Sequence, residues 1–415
     1  MKIGIVSQWY APEPASIPSN LAEDLAARGH DVRVLTGFPN YPDGKIYPGF
    51  RQRWNDRSRQ HGVTVRRVPL YASHDSSALR RAGNYLSYAA TSSVAAWRFL
   101  ADVDVVYVYL TPATVYAAPA LLRAFRGIPA VIHVQDIWPE SVIGSSMAPS
   151  GRLGRAAERM LHSVMRRVYR SAAGISVIAP SMRDMLVDRG ADSRRTRVIL
   201  NWADETLFHP IGVTEQGRRD IGHRDRCTVM YAGAMGPFQN IEASVRAAAS
   251  LSGEGEMDLV LAGSGIAEQA ARDLAADLGA DNVRFLGRRP MGDMAALYGA
   301  ADFQLVTLRD LPIFRGTIPS KLQSALACGS PVVSSVPGDC ADLVESNGIG
   351  FVCPPDDWRV LADCFRQAAK LPVEERAQMS HRSLAVYQAQ MSRQAGVDQF
   401  EDMLTEAAFT GKRTS

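Results

Sequence analysis

Residues 227–263 read CTVMYAGAMGPFQNIEASVRAAASLSGEGEMDLVLAG, and this stretch holds two apolar runs that each end in Ala-Gly. The two runs, CTVMYAG and MDLVLAG, have the length and composition of buried strands. Four similar runs follow: NVRFLG (282–287), ADFQLV (301–306), PVVSS (331–335) and GFVC (350–353). Strands that recur with helical stretches between them predict a parallel sheet covered on both faces.

The first 200 residues show the same alternation. Their strand-like runs are residues 2–7, DVRVLTG (31–37), DVVYVYL (104–110), PAVIHVQ (129–135) and GISVIA (174–179). The pattern breaks at a polar turn near residues 200–208 and then restarts. We therefore predict an α/β protein of two doubly wound domains, 1–200 and 201–385. Ligands bind outside the carboxyl ends of such strands, so two facing sheets predict a cleft between the domains.

Composition limits the class of protein. The 415 residues are 46% apolar and 21% charged, as in a globular chain of about two domains. The N-terminus MKIGIVSQWYAPEP predicts a first strand and not a secretory signal. No window reaches eighteen uninterrupted apolar residues, which argues against a membrane span. The five cysteines form no CxxC pair, which indicates reduced thiols in a cytoplasmic protein.

The charge is distributed unevenly. Residues 1–200 carry 26 Lys and Arg against 15 Asp and Glu, a net charge of +11, and the remaining residues carry 20 against 28, a net charge of −8. A basic domain can contact anionic lipid or an anionic substrate, and an ordinary solvated surface explains the charge equally well. No basic-aromatic nucleic-acid motif accompanies it. The stretch 80–100 is amphipathic, which leaves open both peripheral contact with the inner face of the cell membrane and an ordinary packed helix.

Three loops after the strands of the second half contain glycine: YAGAMGPFQN, LAGSGIAEQA and FLGRRPMGDM. Small residues let backbone N–H groups approach a ligand, and helix N-termini behind them favour anions. Gly263-Ser264-Gly265 is similar to a dinucleotide fingerprint whose third glycine is replaced by Glu268. A structural turn explains any one loop, but three loops in one domain favour a nucleotide site.

Lys321 lies in GTIPSKLQSALACGSPVVSS (316–335), which predicts a helix beginning at Pro319-Ser320-Lys321. A cation is unfavourable at a helix N-terminus, so the presence of a lysine there suggests that it has a negatively charged partner. If Ser320 caps the helix, its hydroxyl, the first N–H groups and the lysine ammonium point at one spot that suits a diphosphate. Alternatively, Lys321 extends into water beside the helix end.

A further candidate site follows a strand of the first half, in VIHVQDIWPES (131–141). His133 can hydrogen-bond a sugar hydroxyl, and Asp136 can orient that sugar or assist the acceptor. Trp138 then shapes the acceptor wall. In the alternative interpretation, His133 points into the sheet and Trp138 is plain packing.

These motifs together resemble one family. SKLQSALACGSPVV, VILNWADETLFHP, YAGAMG, FLGRRP and the early YAPEPASIPSNLAEDLAARGHDVRVLTG occur in the order seen in the family-four retaining glycosyltransferases. QDIWPES and TIPSK are similar to the branch with the fucosamine transferases of O-antigen and the transferases of colanic acid synthesis. The resemblance implies the GT-B fold, with Rossmann-like domains facing across a cleft. It also implies a nucleoside-diphosphate sugar as co-substrate, no cofactor, no metal requirement and retention at the anomeric carbon.

The resemblance also assigns the domains and the site. An acceptor domain, 1–200, would be completed by a returning C-terminal helix, 386–410, and 201–385 would be the donor domain. Diphosphate contacts would fall on Ala15 and Ser16 and on Lys321, which is also a catalytic candidate. The other catalytic candidates, His133 and Asp136, and the acceptor candidates, Glu13 and Trp138, are proposed from their own chemistry and position in the chain. Donor contacts would fall on Gly233, Met235, Gly236, Gly263, Ser264, Gly265, Leu286, Gly287, Arg288, Ser320, Lys321 and Ser324.

The sequence departs from the family in three places. Ala15-Ser16 replaces a glycine pair, Gln135 replaces a histidine, and Gly316 and Ser324 occupy the positions of two glutamates. Neither Gly316 nor Ser324 can accept a charged bidentate hydrogen bond, so ribose recognition is weaker or comes from Gln323 or from elsewhere.

The predicted function is transfer of an N-acetylhexosamine or related hexose from a UDP-linked donor to a lipid-linked glycan or a small molecule. A sugar-nucleotide epimerase and a non-catalytic sugar-nucleotide binder of the same fold are the alternatives.

Overall fold

The computed structural model describes residues 1–73, 77–138 and 151–414. The chain divides into two compact units. Unit 1 comprises Met1–Ile199 and Gly396–Ser415, and unit 2 comprises Leu200–Ala395. No helix of the described ranges is both long and apolar enough to cross a membrane.

Unit 1 is built on one sheet. Its described strands are β1 (Lys2–Val6), β2 (Asp31–Gly37), β3 (Asp56–Gln60), β4 (Val63–Val68), β5 (Val105–Leu110), β6 (Ala130–Val134), β7 (Gly174–Val177) and β8 (Thr196–Val198). They lie in the order β3-β4-β2-β1-β5-β6-β7-β8. β3 is antiparallel to β4, and the remaining pairs are parallel. The order reverses between β1 and β5, which makes their carboxyl ends the expected ligand position.

Helices connect these strands. They are α1 (Ser16–Ala27), α2 (Ala78–Phe99), α3 (Ala117–Arg126), α4 (Gly151–Ser171) and α5 (Pro180–Asp188). The inward residues of the strands are fully buried, as Ile3 and Ile5 of β1 show. Burial of each such side chain contributes about 1.5–3 kcal/mol, which holds the central strands in place.

Unit 2 has a second, fully parallel sheet. Its strands are β9 (Cys227–Ala232), β10 (Met257–Ala262), β11 (Val283–Gly287), β12 (Phe303–Thr307), β13 (Val332–Ser335) and β14 (Gly350–Val352). The order is β11-β10-β9-β12-β13-β14, that of a Rossmann fold, with the switch point between β9 and β12. The prediction of two Rossmann-like doubly wound domains is confirmed.

The helices of unit 2 follow the same alternation. They are α6 (Glu215–Ile221), α7 (Ile241–Ala249), α8 (Glu268–Asp277), α9 (Met294–Ala300), α10 (Ser320–Ala327), α11 (Asp339–Asn347), α12 (Trp358–Lys370) and α13 (Val373–Val386). A π-helical turn, Tyr387–Met391, precedes the last helix, α14 (Arg393–Thr414). Phe400 of α14 is fully buried in unit 1, with its ring 5.3 Å from that of Tyr107.

The hairpin of β3 and β4 was not predicted from the sequence. The two strands are joined by His61 and Gly62, whose φ angles are 47° and 82°. Positive φ at both positions of a two-residue loop is the geometry that matches the twist of a hairpin. A His-Gly pair is a weaker signal of that turn than Asn-Gly, so the hairpin was missed.

Candidate functional site

The three glycine loops of unit 2 are joined to one another at the carboxyl ends of β9, β10 and β11. The Gly233 N–H donates to the Ala262 carbonyl at 2.9 Å, and the Met235 N–H donates to the Ser264 carbonyl at 2.9 Å. The Gly263 N–H donates to the Gly287 carbonyl at 2.8 Å. The loops therefore form one connected layer of backbone beside the switch point.

Loop packing alone accounts for two of the glycines. A Cβ at Gly263 would overlap the Gly233 carbonyl, and a Cβ at Gly265 would overlap the Met235 carbonyl. Glycine is required where backbones approach this closely. Donor contacts by Gly263, Ser264 and Gly265 therefore stay a prediction, since these glycines have a structural reason of their own.

Helix α10 begins as expected, but its cap differs from the prediction. Ser320 is the first helical residue, and Pro319 stands at the N-cap position with ψ of 144° and no side-chain cap. The proposed Ser320 cap is therefore wrong, because Ser320 has already adopted helical geometry. Its side chain is exposed, and the first N–H groups of α10 remain uncapped by a side chain.

Lys321 folds back over the carboxyl end of β9. Its Cε lies 2.6 Å and its Nζ 3.2 Å from the place that a Cβ of Gly233 would occupy. The same Nζ lies 5.1 Å from the ring centroid of Tyr231, a cation–π contact. Lys321 is therefore packed against the protein and does not extend into water, which contradicts the alternative interpretation.

The ammonium of Lys321 has no carboxylate partner among the described residues. Burial lowers the pKa of Lys321 because desolvation disfavours its charged form. A partly buried cation without a partner lowers the stability of the fold. An anion that accepts hydrogen bonds from the ammonium would offset this loss. The position beside the switch point makes a phosphate group the fitting partner.

Two residues that were not predicted fix the neighbouring loops. The Arg309 side chain donates through Nε to the Pro237 carbonyl at 2.7 Å. Asp356 accepts from Asn240 Nδ2 at 2.8 Å and from the Asp310 N–H at 2.9 Å. Arg309 and Asp356 thus connect the loops after β9, β12 and β14. Their partners are two backbone groups and the Asn240 side-chain amide, all far away in sequence, so spacing gave no signal of them.

The other predicted donor residues lie in the same region of unit 2. Gly236 donates its N–H to Gln239 Oε1 at 3.0 Å, so this donor already has a partner. Leu286 is half-buried, Gly287 has a φ of 66°, and Arg288 is exposed. Met235 is fully buried. These positions leave the donor contacts of all five residues as predictions.

Gly316 and Ser324 occupy the positions at which the family has glutamates, and both lie in or just before α10. Ser324 is buried in α10, and Gly316 is half-buried in the preceding loop. Gln323 is buried as well, with its Nε2 3.5 Å from the Ile318 carbonyl. Gln323 is therefore directed into unit 2 and is poorly placed to replace a ribose contact.

In unit 1, Glu13 has a structural task. Its Oε1 accepts from the N–H groups of Asn40 and Tyr41 at 2.8 and 2.9 Å, and its Oε2 accepts from the Tyr10 N–H at 3.2 Å. Burial raises the pKa of Glu13, and these three hydrogen bonds oppose that rise. The carboxylate joins the loops after β1 and β2. An acceptor contact by Glu13 stays a prediction, and its carboxylate oxygens are already engaged.

His133 is a buried core residue, and its predicted direct role is contradicted. It is 0% exposed on β6, so no substrate atom can reach the ring. Its Nδ1 lies 2.6 Å from the Tyr107 hydroxyl, and its Nε2 lies 2.7 Å from Gln135 Nε2. Burial lowers the pKa of His133 to about 3, so the ring is neutral. The alternative of a hydrogen-bonded core histidine is the one observed.

Asp136 is exposed at the carboxyl end of β6. One carboxylate oxygen, Oδ2, accepts from the Thr111 hydroxyl at 2.7 Å. The negative charge of Asp136 contributes to the raised pKa values of Tyr85 and Tyr109, whose main cause is burial. Asp136 is therefore an accessible carboxylate oriented by Thr111 and bordered by tyrosines.

Half-buried aromatic rings lie on α2 and in the loops that follow β1, β2 and β6. Trp138 lies edge-on to Tyr85, with ring centroids 6.5 Å apart, and Trp9 lies 4.9 Å from Tyr41. Rings with polar tips around a few polar groups are typical of small-molecule sites. Trp138 was predicted, whereas the tyrosines come from three separated segments. Residues 139–141 of the QDIWPES motif lie outside the described residues.

Ala15 and Ser16 stand where β1 leads into α1. Ala15 occupies the N-cap position without a side-chain cap, and Ser16 is the exposed first residue of the helix. This position is consistent with a helix N-terminus that can receive an anion. A diphosphate contact there stays a prediction.

Within residues 1–73, 77–138 and 151–414, no group of three or more His, Cys, Asp or Glu side chains is arranged to hold a metal ion. Metal independence stays a prediction.

Comparison with known proteins assigns both halves of the chain. Residues 15–202 match the model of the glycosyl transferase 4-like domain, and residues 214–384 match that of glycosyl transferases group 1. The Escherichia coli (strain K12) protein WcaI, named as a colanic acid biosynthesis glycosyl transferase, is 26% identical over 391 residues, 90% of this chain and 93% of that protein.

One further relative and one solved structure extend over most of the chain. The N-acetyl-alpha-D-glucosaminyl L-malate synthase of Bacillus anthracis is 22% identical over 376 residues, 89% of this chain and 88% of that protein. The crystal structure of Anabaena Alr3699/HepE in complex with UDP matches this chain with a TM-score of 0.71 and 18% sequence identity. The match covers 98% of this chain and 100% of the Alr3699/HepE chain.

Proposed function

Because this chain belongs to the family-four glycosyltransferases and has their GT-B fold, we propose that it takes its sugar from a UDP-linked donor. The sugar is an N-acetylhexosamine or a related hexose, and the acceptor is a lipid-linked glycan or a small molecule. Transfer retains the configuration of the anomeric carbon and requires no metal ion.

One observation carries the donor half of this proposal. Lys321 is a partly buried cation without a described carboxylate partner, and it lies over Gly233 at the switch point of unit 2. The first N–H groups of α10 have no side-chain cap. A diphosphate supplies the missing anion for both, since helix N-termini and lysine ammonium groups are common phosphate partners.

The reaction follows from where charge develops. The bond between the anomeric carbon and the diphosphate oxygen breaks, and a bond to the acceptor oxygen forms. Negative charge then grows on the leaving diphosphate, and Lys321 stabilises it more strongly than it stabilises the intact donor. Retention requires the acceptor to add on the face from which the diphosphate leaves, so a diphosphate oxygen can take the acceptor proton.

Unit 1 provides groups for the sugar or the acceptor. Asp136 can accept a hydrogen bond from a hydroxyl group, with Thr111 holding the carboxylate in place. The rings of Tyr85 and Trp138 can pack against the apolar faces of a sugar. We assign Asp136 to hydroxyl binding and exclude His133 from contact because it is buried.

A structural neighbour and a relative support the choice of donor. The Anabaena Alr3699/HepE structure contains UDP, which supports a UDP-linked donor. The Bacillus anthracis relative is named for an N-acetylglucosaminyl product, which supports an N-acetylhexosamine.

A thermal-shift panel with UDP, GDP and dTDP is the first test of the donor base. A ligand at 100 times its Kd stabilises the folded protein by about 2.7 kcal/mol, so UDP is expected to give the largest shift. A larger shift with GDP or dTDP would overturn the choice of base.

Incubation with UDP-sugars in the absence of an acceptor, followed by mass spectrometry and NMR, tests the reaction. Slow release of UDP is expected, at the same rate with and without EDTA. A sugar isomer still linked to UDP would indicate an epimerase, and loss of activity in EDTA would contradict metal independence. With an acceptor present, the anomeric coupling constant of the product reports retention.

A further inference from the structure

A pocket of about 660 Å³ lies on unit 1 between the β3–β4 hairpin and the helices α2 and α3. Its lining includes Trp54, Arg57, Arg66, Ser93, Trp97 and Arg98. The α2 residues of this set belong to the last turns of the helix, which leads toward the amino end of β5. Asp136 follows the carboxyl end of β6, so this pocket is separate from the candidate acceptor site.

The pocket concentrates positive charge that the protein does not neutralise. Arg57 on β3 pairs directly with Arg66 on β4, and like charges in this position are destabilising. No Asp or Glu is among the described residues that line the pocket. None of the three arginines, Arg57, Arg66 and Arg98, forms an ion pair with a described carboxylate.

Arg66 is the central member of this cluster. It is 5% exposed, and its Nε has no hydrogen-bond partner in the described part of the chain. One terminal nitrogen, Nη1, donates to the Ala95 carbonyl at 3.3 Å, and the guanidinium lies 5.8 Å from the Phe99 ring. Burial and the nearby charge of Arg57 lower the pKa of Arg66. A buried guanidinium that faces a second cation is stabilised by an anion.

Apolar side chains surround this charged pocket on the surface. Trp54 is 42% exposed, Trp97 is 43% exposed and Val94 is 64% exposed. The Trp97 ring is held between Arg126, at 4.4 Å, and Phe125, at 5.9 Å. Tryptophan beside arginine is the composition found where proteins contact the interface of a membrane.

We propose that this pocket binds the phosphate headgroup of an anionic lipid, with Arg57, Arg66 and Arg98 as its counter-charges. Trp54 and Trp97 then enter the interface beside the headgroup. Charge complementarity selects the phosphate, and the exposed rings select a lipid over a free anion. The proposal does not depend on the donor site, since all of its residues belong to unit 1: to the β3–β4 hairpin, the turn before it and helix α2.

Vesicle flotation of the full-length protein tests this site. Vesicles of phosphatidylcholine with phosphatidylglycerol are expected to bind the wild type, whereas phosphatidylcholine alone should not. The exposed pair of substitutions Arg57→Gln and Arg98→Gln should weaken vesicle binding about 30-fold, from the loss of two charges near the lipid surface. The matched control, Arg194→Gln with Arg195→Gln, removes two exposed arginines elsewhere in unit 1 and should have a much smaller effect.

Three results would overturn the proposal. Equal losses in the two double variants would show that overall charge and not this pocket is responsible. Failure of the wild type to bind phosphatidylglycerol vesicles would exclude a lipid. Arginine-dependent binding of inorganic phosphate without vesicle binding would identify a soluble anion instead. UDP affinity should be unchanged in Arg57→Gln with Arg98→Gln, and the melting temperature should not fall because the variant removes the repulsion between Arg57 and Arg66. This result separates the test from that of the donor site.

Discussion

Lys321 occupies the space that a side chain at Gly233 would need. A Cβ at position 233 would stand 2.6 Å from Lys321 Cε, and the φ of Gly233 is 142°. Glycine at the end of β9 and lysine at the start of α10 are therefore one structural unit, although many residues separate them in sequence. The absence of a side chain at 233 lets the ammonium lie at the switch point, where the diphosphate is proposed to bind.

Gly233→Ala should therefore displace Lys321 or strain the loop. We expect turnover to fall by about tenfold or more, as for loss of one oriented charge at a leaving group, and UDP binding to weaken with it. Steady-state kinetics and calorimetry measure the two effects. Gly253→Ala is the control, because a Cβ there meets nothing within 4 Å. Wild-type kinetics in Gly233→Ala would show that the position of Lys321 does not matter.

Asp136→Asn should impair the handling of the sugar or the acceptor without affecting nucleotide binding. Loss of the carboxylate is expected to lower turnover about a hundredfold, within the range of a positioned acid or base, while the Kd for UDP stays unchanged. Thr111→Val removes the hydroxyl that orients Asp136 and should have a smaller effect in the same direction. A variant that lost UDP binding as strongly as turnover would contradict the assignment of Asp136.

The buried ring of His133 should make stability depend on pH. Its pKa is about 3 in the folded protein and 6.5 ordinarily, so the unfolded chain binds the proton more readily. The neutral ring therefore supports the fold above pH 6.5, and stability falls below it by about 1.4 kcal/mol per pH unit from this group. Urea unfolding should show a shallower acid dependence in His133→Gln. Equal slopes, or a pH–rate profile that follows His133, would contradict its burial.

Glu13→Gln should destabilise unit 1. The substituted amide places an NH₂ group against a backbone N–H, which leaves a buried donor unsatisfied and costs about 2 kcal/mol. Urea unfolding measures the loss, and Glu23→Gln, an exchange elsewhere in unit 1, is the comparison. A raised KM for the acceptor with unchanged stability would instead favour the predicted acceptor contact.

Local sequence pattern was sufficient for the sheet of unit 2, whereas β3, β4 and β8 of unit 1 were missed. Runs such as CTVMYAG are apolar throughout because both faces of a parallel sheet are covered, and all six strands of unit 2 were predicted. The start of α10 was also predicted from Pro319 and the apolar spacing that follows it. The position of Lys321 over Gly233 could not be predicted from the sequence, because it depends on which strands lie beside each other.

Two of the errors, at His133 and in the β3–β4 hairpin, depend likewise on contacts between distant segments, whereas the Ser320 cap is a local error. His133 follows the alternation of β6, but its burial is completed by Phe400 of α14, whose ring lies 4.8 Å away. The cap assigned to Ser320 was displaced by one residue because Pro319 already adopts the N-cap geometry. The pairing of Arg57 with Arg66 depends on the hairpin register, which a His-Gly turn signals weakly.

Calorimetric titration of UDP into the wild type and Lys321→Met tests the central claim most directly. A charge-assisted hydrogen bond contributes about 1.5–3 kcal/mol, so the variant should bind UDP about 10- to 150-fold more weakly. Its turnover should fall tenfold to about a thousandfold.

The same titration reports the charge of Lys321. Because burial lowers the pKa of Lys321 and a diphosphate would raise it again, the wild type should take up protons on binding UDP at alkaline pH. Titrations in buffers of different ionisation enthalpy should show this uptake in the wild type and not in Lys321→Met. Equal UDP affinity and equal proton uptake in the two proteins would contradict the assignment of Lys321 to the diphosphate.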